Sequence, residues 1–161
     1  MATPKFEDRA PETPGSGLST PSIESAAEFM APAFSDEDLA LRFAELHAGS
    51  LRFVAAWNKW LIWTGAHWRF DDTMHAFNLA RYVCREAARK CNEHGASIAS
   101  ARKRGAVEHL ARSDERIAAT IDQWDPDPWL LNTPDGVIDL RTGNARPHQA
   151  EGHRQLKASE R

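Results

Sequence analysis

A chain of 161 residues has room for one ordinary domain and a tail, and hardly for two. Hydrophobic residues at 42% can supply a core, so the chain is not wholly disordered, while a formal charge of −3 excludes a uniformly basic nucleic-acid coat protein but leaves local basic patches open. No run of about 18 apolar residues is available to span a membrane, the N-terminus lacks the apolar stretch of a secretory signal, and Cys84 and Cys91 are too few for a disulfide scaffold; the chain reads as soluble and cytoplasmic.

Residues 1–33 hold five of the nine prolines, with Gly15, Gly17 and scattered Ser and Thr. Such a segment buries too little apolar surface to offset its ordering entropy, and it reads as a disordered leader with a short helical turn at 23–30, or alternatively as an interaction peptide. Order is expected from Ser35, where Ser35-Asp-Glu-Asp38 offers an N-cap and acids in the first turn of a helix carrying Leu39, Phe43 and Leu46. Gly49 ends that helix.

From Leu51 to Phe70 the pattern changes to aromatic and β-branched runs separated by the turn signals Asn58-Lys59 and Thr64-Gly65-Ala66. Strands are expected near 52–57, 60–63 and 67–70, a meander rich in tryptophan (Trp57, Trp60, Trp63, Trp68). Such rings can stack unpaired bases, but a small sheet more commonly uses them to pack against a helix. A long helix follows, capped at Asp72-Thr73, with Met74, Phe77, Cys84, Ala87, Ala88 and Cys91 as its apolar stripe and Gly95 as its stop. A second helix is expected over 97–111, weakened at Gly105, and a third opening at Ser113 and carrying Ile117 and Ile121. After Gln123, two prolines forbid a helix across 125–128. Pro134-Asp135-Gly136 and Arg141-Thr142-Gly143-Asn144 are turns around a terminal β hairpin, and residues 149–161 read as a frayed tail. The fold class is α+β, mainly helical, with the Trp-rich antiparallel meander and this hairpin.

The chain contains no G-x-x-x-x-G-K-[ST], dinucleotide fingerprint, H-E-x-x-H or G-x-S-x-G, so no catalytic residue is assigned. Cys91 and His94 have ligand-like spacing but lack the further ligands a zinc site needs, and no cofactor is expected. Asp125 and Asp127, set among prolines, read as turn-makers. The positive signal is charge: between Arg81 and Arg116 stand nine Lys or Arg against five acids. Arg81, Arg85 and Arg89 recur every fourth residue of one helix, and Arg102, Lys103 and Arg104 cluster on the next. Such stripes bind phosphate backbones, although a solvated helix face with pairs such as Glu86–Lys90 has the same pattern.

Phe34-Ser-Asp-Glu-Asp-Leu-Ala-Leu-Arg-Phe-Ala, the Trp57–Trp68 cluster, and Ala118-Ala-Thr-Ile-Asp-Gln-Trp-Asp-Pro-Asp-Pro-Trp-Leu-Leu-Asn-Thr-Pro-Asp-Gly-Val-Ile-Asp-Leu-Arg-Thr-Gly143 together resemble the phage and plasmid DNA primase–helicase family of the P-four type. More narrowly, residues 34–148 resemble the poxvirus-type NTPase N-terminal domain that precedes a superfamily-three helicase in those proteins. The resemblance implies a module of viral, prophage or plasmid DNA replication whose partners are a helicase or primase module and single-stranded DNA. The helicase and primase residues of relatives have no counterparts in this sequence, so the expected role is non-catalytic. It is that of an accessory domain that positions the helicase, carried by a truncated prophage or plasmid fragment or a separate subunit. The alternatives are a protein–protein adaptor that binds no nucleic acid, or a remnant without function.

Overall fold

The computed structural model describes residues 30–91 and 93–150. The expected leader, with its helical turn, and the expected tail lie outside them but for their innermost residues. In chain order the elements are α1 (Asp36–His47), β1 (Leu51–Val54), β2 (Lys59–Trp63), β3 (Trp68–Phe70), α2 (His75–Lys90), the single turn α3 (Gly95–Ile98), α4 (Ala101–Ala111), β4 (Ala118–Ala119), a 3-10 turn (Ile121–Gln123), β5 (Leu130–Thr133), β6 (Gly136–Asp139) and β7 (Ala145–Arg146). The class is α+β, as the sequence predicts.

The start of α1 follows from side-chain chemistry. Ser35 accepts from the Asp38 N–H at 3.0 Å, while the Asp38 carboxylate accepts from the Phe34 N–H at 2.8 Å, so two otherwise orphaned donors are satisfied. The meander forms where its turns allow it. Asn58 sits at φ 51° and Gly65 at φ 96°, conformations that Asn and Gly adopt more easily than bulkier residues. Leu51 pairs with Ile62 and Phe53 with Trp60 in one antiparallel ladder, and Trp63 pairs with Trp68 in the next.

Alternation gives the sheet two different faces. Leu51, Phe53, Trp60 and Ile62 join Phe43, Ala80, Cys84, Val107 and Ile117 in the main core beneath the helices. Each large side chain removed from water there contributes about 1.5–3 kcal/mol. On the other face Val54, Leu61 and Trp68 form a second core with Ala119 and Trp124. Arg52, 5% exposed, lies on this face with its guanidinium 5.3 Å over the Trp68 ring. It also donates to the Ala48 and Leu51 carbonyls, placing a cation at the C-terminal end of α1 where the helix dipole favours one.

Five expectations need correction. The cap of α2 comes from Asp71 rather than Asp72-Thr73. Its carboxylate accepts the N–H groups of Thr73, His75 and Ala76 at 2.9–3.1 Å, while Met74 occupies the cap position at φ 58°. The helix expected over 97–111 is two elements divided at Ser100, whose hydroxyl caps α4 by accepting from the Lys103 N–H at 3.2 Å. Gly105 does not break α4. No helix opens at Ser113: the Asp114 carboxylate binds the Arg116 backbone and guanidinium at 2.7–2.9 Å in a tight turn, and the chain then enters β4, parallel to β1. Gly95 is not the stop of α2, which ends at Lys90, but the first residue of α3. The expected terminal hairpin forms as β5–β6, and β7 joins it into a three-stranded sheet. At its first turn Gly136 has φ 151° and lies so close to the Arg146 carbonyl that a Cβ would stand 2.6 Å from that oxygen.

Candidate nucleic-acid interface

The buried side of α2 is built from Ala76, Ala80, Val83, Cys84 and Ala87 and packs on α4, α3 and α1. This geometry decides where the basic stripe lies. Arg85 and Arg89 are exposed, whereas Arg81 is half-buried beside the apolar face, its Nε out of water and without a partner among the described residues. Glu86 pairs with Arg89 at 3.4 Å and with Lys90 at 3.9 Å, pairings exposed enough to be worth little.

The second cluster occupies the first turn of α4, which contains no acidic residue of its own. Lys103 is held by Asp36 of α1 at 2.7 Å. Arg102 is exposed at the edge of a cleft of about 180 Å³ that Asp36, Ser97, Ser100 and Lys103 also line. Arg104 is half-buried, its Nε sequestered and without a partner among the described residues. Burial pushes the Cys84 thiol up, and Arg104 and Lys103 pull against that shift, so the α4 cluster lies within electrostatic reach of α2. The sequence-predicted residues therefore divide by role. Lys103 is engaged by a carboxylate and Arg89 shares one, while Arg81, Arg85, Arg102 and Arg104 have no ion pair among the described residues. Exposed arginines that can hold phosphate groups thus stand in two places, Arg85 and Arg89 on the outward side of α2 and Arg102 at the positive N-terminal end of α4.

The tryptophan row is committed elsewhere. Trp57 lies edge-on to Phe70 at 5.7 Å and 6.0 Å from Trp124, and Trp68, fully buried, contacts Trp63 at 5.5 Å and Trp124 at 5.7 Å. These rings pack one another and leave little face for a base.

Two features were missed in the sequence. Tyr82, the single tyrosine of the chain, is 57% exposed within the basic stripe. Its position directly after Arg81 was the available signal. The other is a buried network: the Trp60 indole N–H donates to Glu108, whose carboxylate also accepts from Arg112 at 2.9–3.0 Å, and Arg112 lies 4.9 Å over the Phe53 ring. Only the i,i+4 spacing of Glu108 and Arg112 was visible, and exposed helices show it as commonly.

Elsewhere, Asp127 behaves as a turn-maker. It accepts from the Trp129 N–H at 3.0 Å and pairs with Arg141, which also binds Asp139 at 3.2 Å. The backbone N–H of Arg141 holds the Asp139 carboxyl below its ordinary range. The cleft of about 330 Å³ that these three line is thus internally neutralised. Among the described residues no three His, Cys, Asp or Glu side chains gather to hold a metal ion, and no helix is long and apolar enough to cross a membrane.

A comparison with curated proteins yields no match. The model of the family described as D5 N terminal like matches residues 40–157, which include β1–β4, α2, α4 and both basic clusters. The chain therefore belongs to the D5 N terminal like family, the N-terminal domain of primase–helicase type proteins.

Proposed function

We propose that residues 34–148 form a non-catalytic accessory domain of a phage or plasmid DNA replication primase–helicase of the P-four type. The domain positions or assembles the helicase, works in the cytoplasm without a cofactor, and contacts single-stranded DNA through Arg81, Arg85, Arg89, Arg102, Lys103 and Arg104. Family membership supports the replication context. The observation that carries the DNA contact is the pair of basic clusters on the neighbouring helices α2 and α4, with Arg85 and Arg102 exposed and free of carboxylate partners among the described residues.

The test is fluorescence-anisotropy titration with labelled single-stranded and duplex DNA at several salt concentrations. The parent chain is expected to bind at micromolar concentration or below, less tightly as salt rises. Replacing all six residues by Ala should abolish this. The milder triple variant of the exposed Arg85, Arg89 and Arg102 should flatten the single-strand salt slope by about 2. Failure of the parent to bind at low salt, or an unchanged triple variant, would overturn the DNA contact.

A second reading is a protein–protein adaptor that docks a helicase or primase module. It is favoured by the outer face of the β5–β6–β7 sheet. Leu131 pairs there with Ile138, the same face continues through Trp129 and Leu140, and three of these residues are about half exposed. That reading predicts no salt-sensitive DNA affinity and loss of the module's binding in a Trp129→Ser/Leu131→Ser variant.

A further inference from the structure

The geometry points to Tyr82 as a base-stacking residue, which makes the exposed side of α2 a site for unpaired rather than paired DNA. The inference rests on the DNA contact proposed above and names the form of nucleic acid that contact takes.

Tyr82, Arg85 and Arg89 follow one another at i, i+3 and i+7, the spacing that keeps three side chains on one side of a helix. The opposite side of α2 is the buried one. Along the helix axis Arg85 lies about 4.5 Å and Arg89 about 10.5 Å beyond Tyr82. The array thus places two guanidinium groups within side-chain reach of the phosphates flanking a base seated on the ring. Both are exposed, and the Arg89–Glu86 pair, with its side chains 78% and 46% exposed, is one a phosphate can displace at small cost.

The ring itself is unoccupied. Trp57, Trp63, Trp68 and Trp124 pair with other rings, but Tyr82 makes no ring contact, cation–π contact or hydrogen bond among the described residues, and it is 57% exposed. A free aromatic face beside cations is what a sequence-tolerant single-strand site uses: the ring takes any base, and the cations follow the backbone. In duplex DNA the base faces are already stacked, so the ring adds nothing there and only the arginines contribute.

The experiment compares parent, Tyr82→Ala, Tyr82→Phe and Arg85→Ala/Arg89→Ala chains, with fluorescein-labelled oligo-dT and a duplex of equal length as probes. Tyr82→Ala should weaken oligo-dT binding by about 5- to 150-fold, the span of one lost base stack, with duplex affinity and salt slope unchanged. Tyr82→Phe should bind as the parent does, since the ring and not the hydroxyl is used. The double arginine variant should instead weaken both probes and flatten the salt slope. An oligo-dT affinity within twofold of the parent in Tyr82→Ala would overturn the stacking role and leave the DNA contact standing, as would equal losses on both probes. A parent chain that binds neither probe would overturn the DNA contact itself. A Tyr82→Ala chain that binds DNA normally but loses self-association would reassign the ring to a protein interface.

Discussion

Replacing Glu108, a residue 7% exposed, by Ala removes the four hydrogen bonds its carboxylate accepts, and the structure sets how much that costs. The Trp60 indole N–H, in a residue 8% exposed, is left without its acceptor, a loss of about 1–3 kcal/mol. The Arg112 guanidinium loses its counter-charge. Its side chain remains 31% exposed, however, so it recovers solvent and the full penalty of about 3–5 kcal/mol for a broken buried pair does not apply. Together the two effects amount to about 3 kcal/mol. With a urea slope near ~1.5 kcal/mol per M, the unfolding midpoint should fall by about 2 M. Glu108→Gln keeps an acceptor for the indole and should recover about half of that. Tryptophan fluorescence in urea is the assay, and the slope must stay constant for the comparison to hold. An Ala variant whose midpoint lies within about 0.3 M of the parent would refute the argument, because it would mean that water replaces the carboxylate at no cost.

Asp71→Ala should cost about 1–2 kcal/mol by removing the cap of α2, read as a lower melting temperature, with Asp71→Asn recovering part of it. Burial alone would raise the Asp71 carboxyl, but the N–H donors of Ala76, His75 and Thr73 outweigh it and hold the group below its ordinary range. Stability drawn from it is present above the ordinary carboxyl value and disappears as pH falls towards the lower folded one. Acid sensitivity should nevertheless begin earlier, at His47. Burial, and then the nearby His75, hold its imidazole below the ordinary 6.5, so the unfolded chain binds the proton more tightly. Stability should be undiminished above 6.5 and fall as pH drops through it, a melting-temperature trend that His47→Gln should flatten.

The parts of the fold that could be read from sequence are those dictated by neighbours in the chain. Ser35 and Asp38 cap α1 within four residues, Asn58 and Gly65 turn the meander, and Pro134-Asp135-Gly136 sets β5 against β6. What could not be read depends on distant partners. Ile117 sits at helical spacing from Ile121, yet Ile117 is buried in the main core and its carbonyl accepts from the Phe53 N–H at 2.9 Å, a contact no local pattern announces. Glu108 is ordinary on a helix until Trp60 meets it from the sheet. The candidate interface divides in the same way. The four-residue recurrence of Arg81, Arg85 and Arg89 was plain, but that Lys103 is tied to Asp36 and that Tyr82 faces outward depends on how α1, α2 and α4 pack.

The two-residue strand β4 has a consequence for how the chain assembles. The β1–β2 and β2–β3 pairings close short loops and can form early, at little entropic cost. Phe53 and Val54, by contrast, must wait for Ala118 and Ala119, which arrive only after three helices have been threaded between them. Such a non-local parallel pairing is slow, because its closure entropy is spent before its contacts form. Ala119 and Trp124 arrive with it, so the second core is completed late, and until then the tryptophan side of the sheet is an open apolar surface. Partial synthesis or local detachment of this segment would return the sheet to that adhesive state, in which β1 is an unprotected edge.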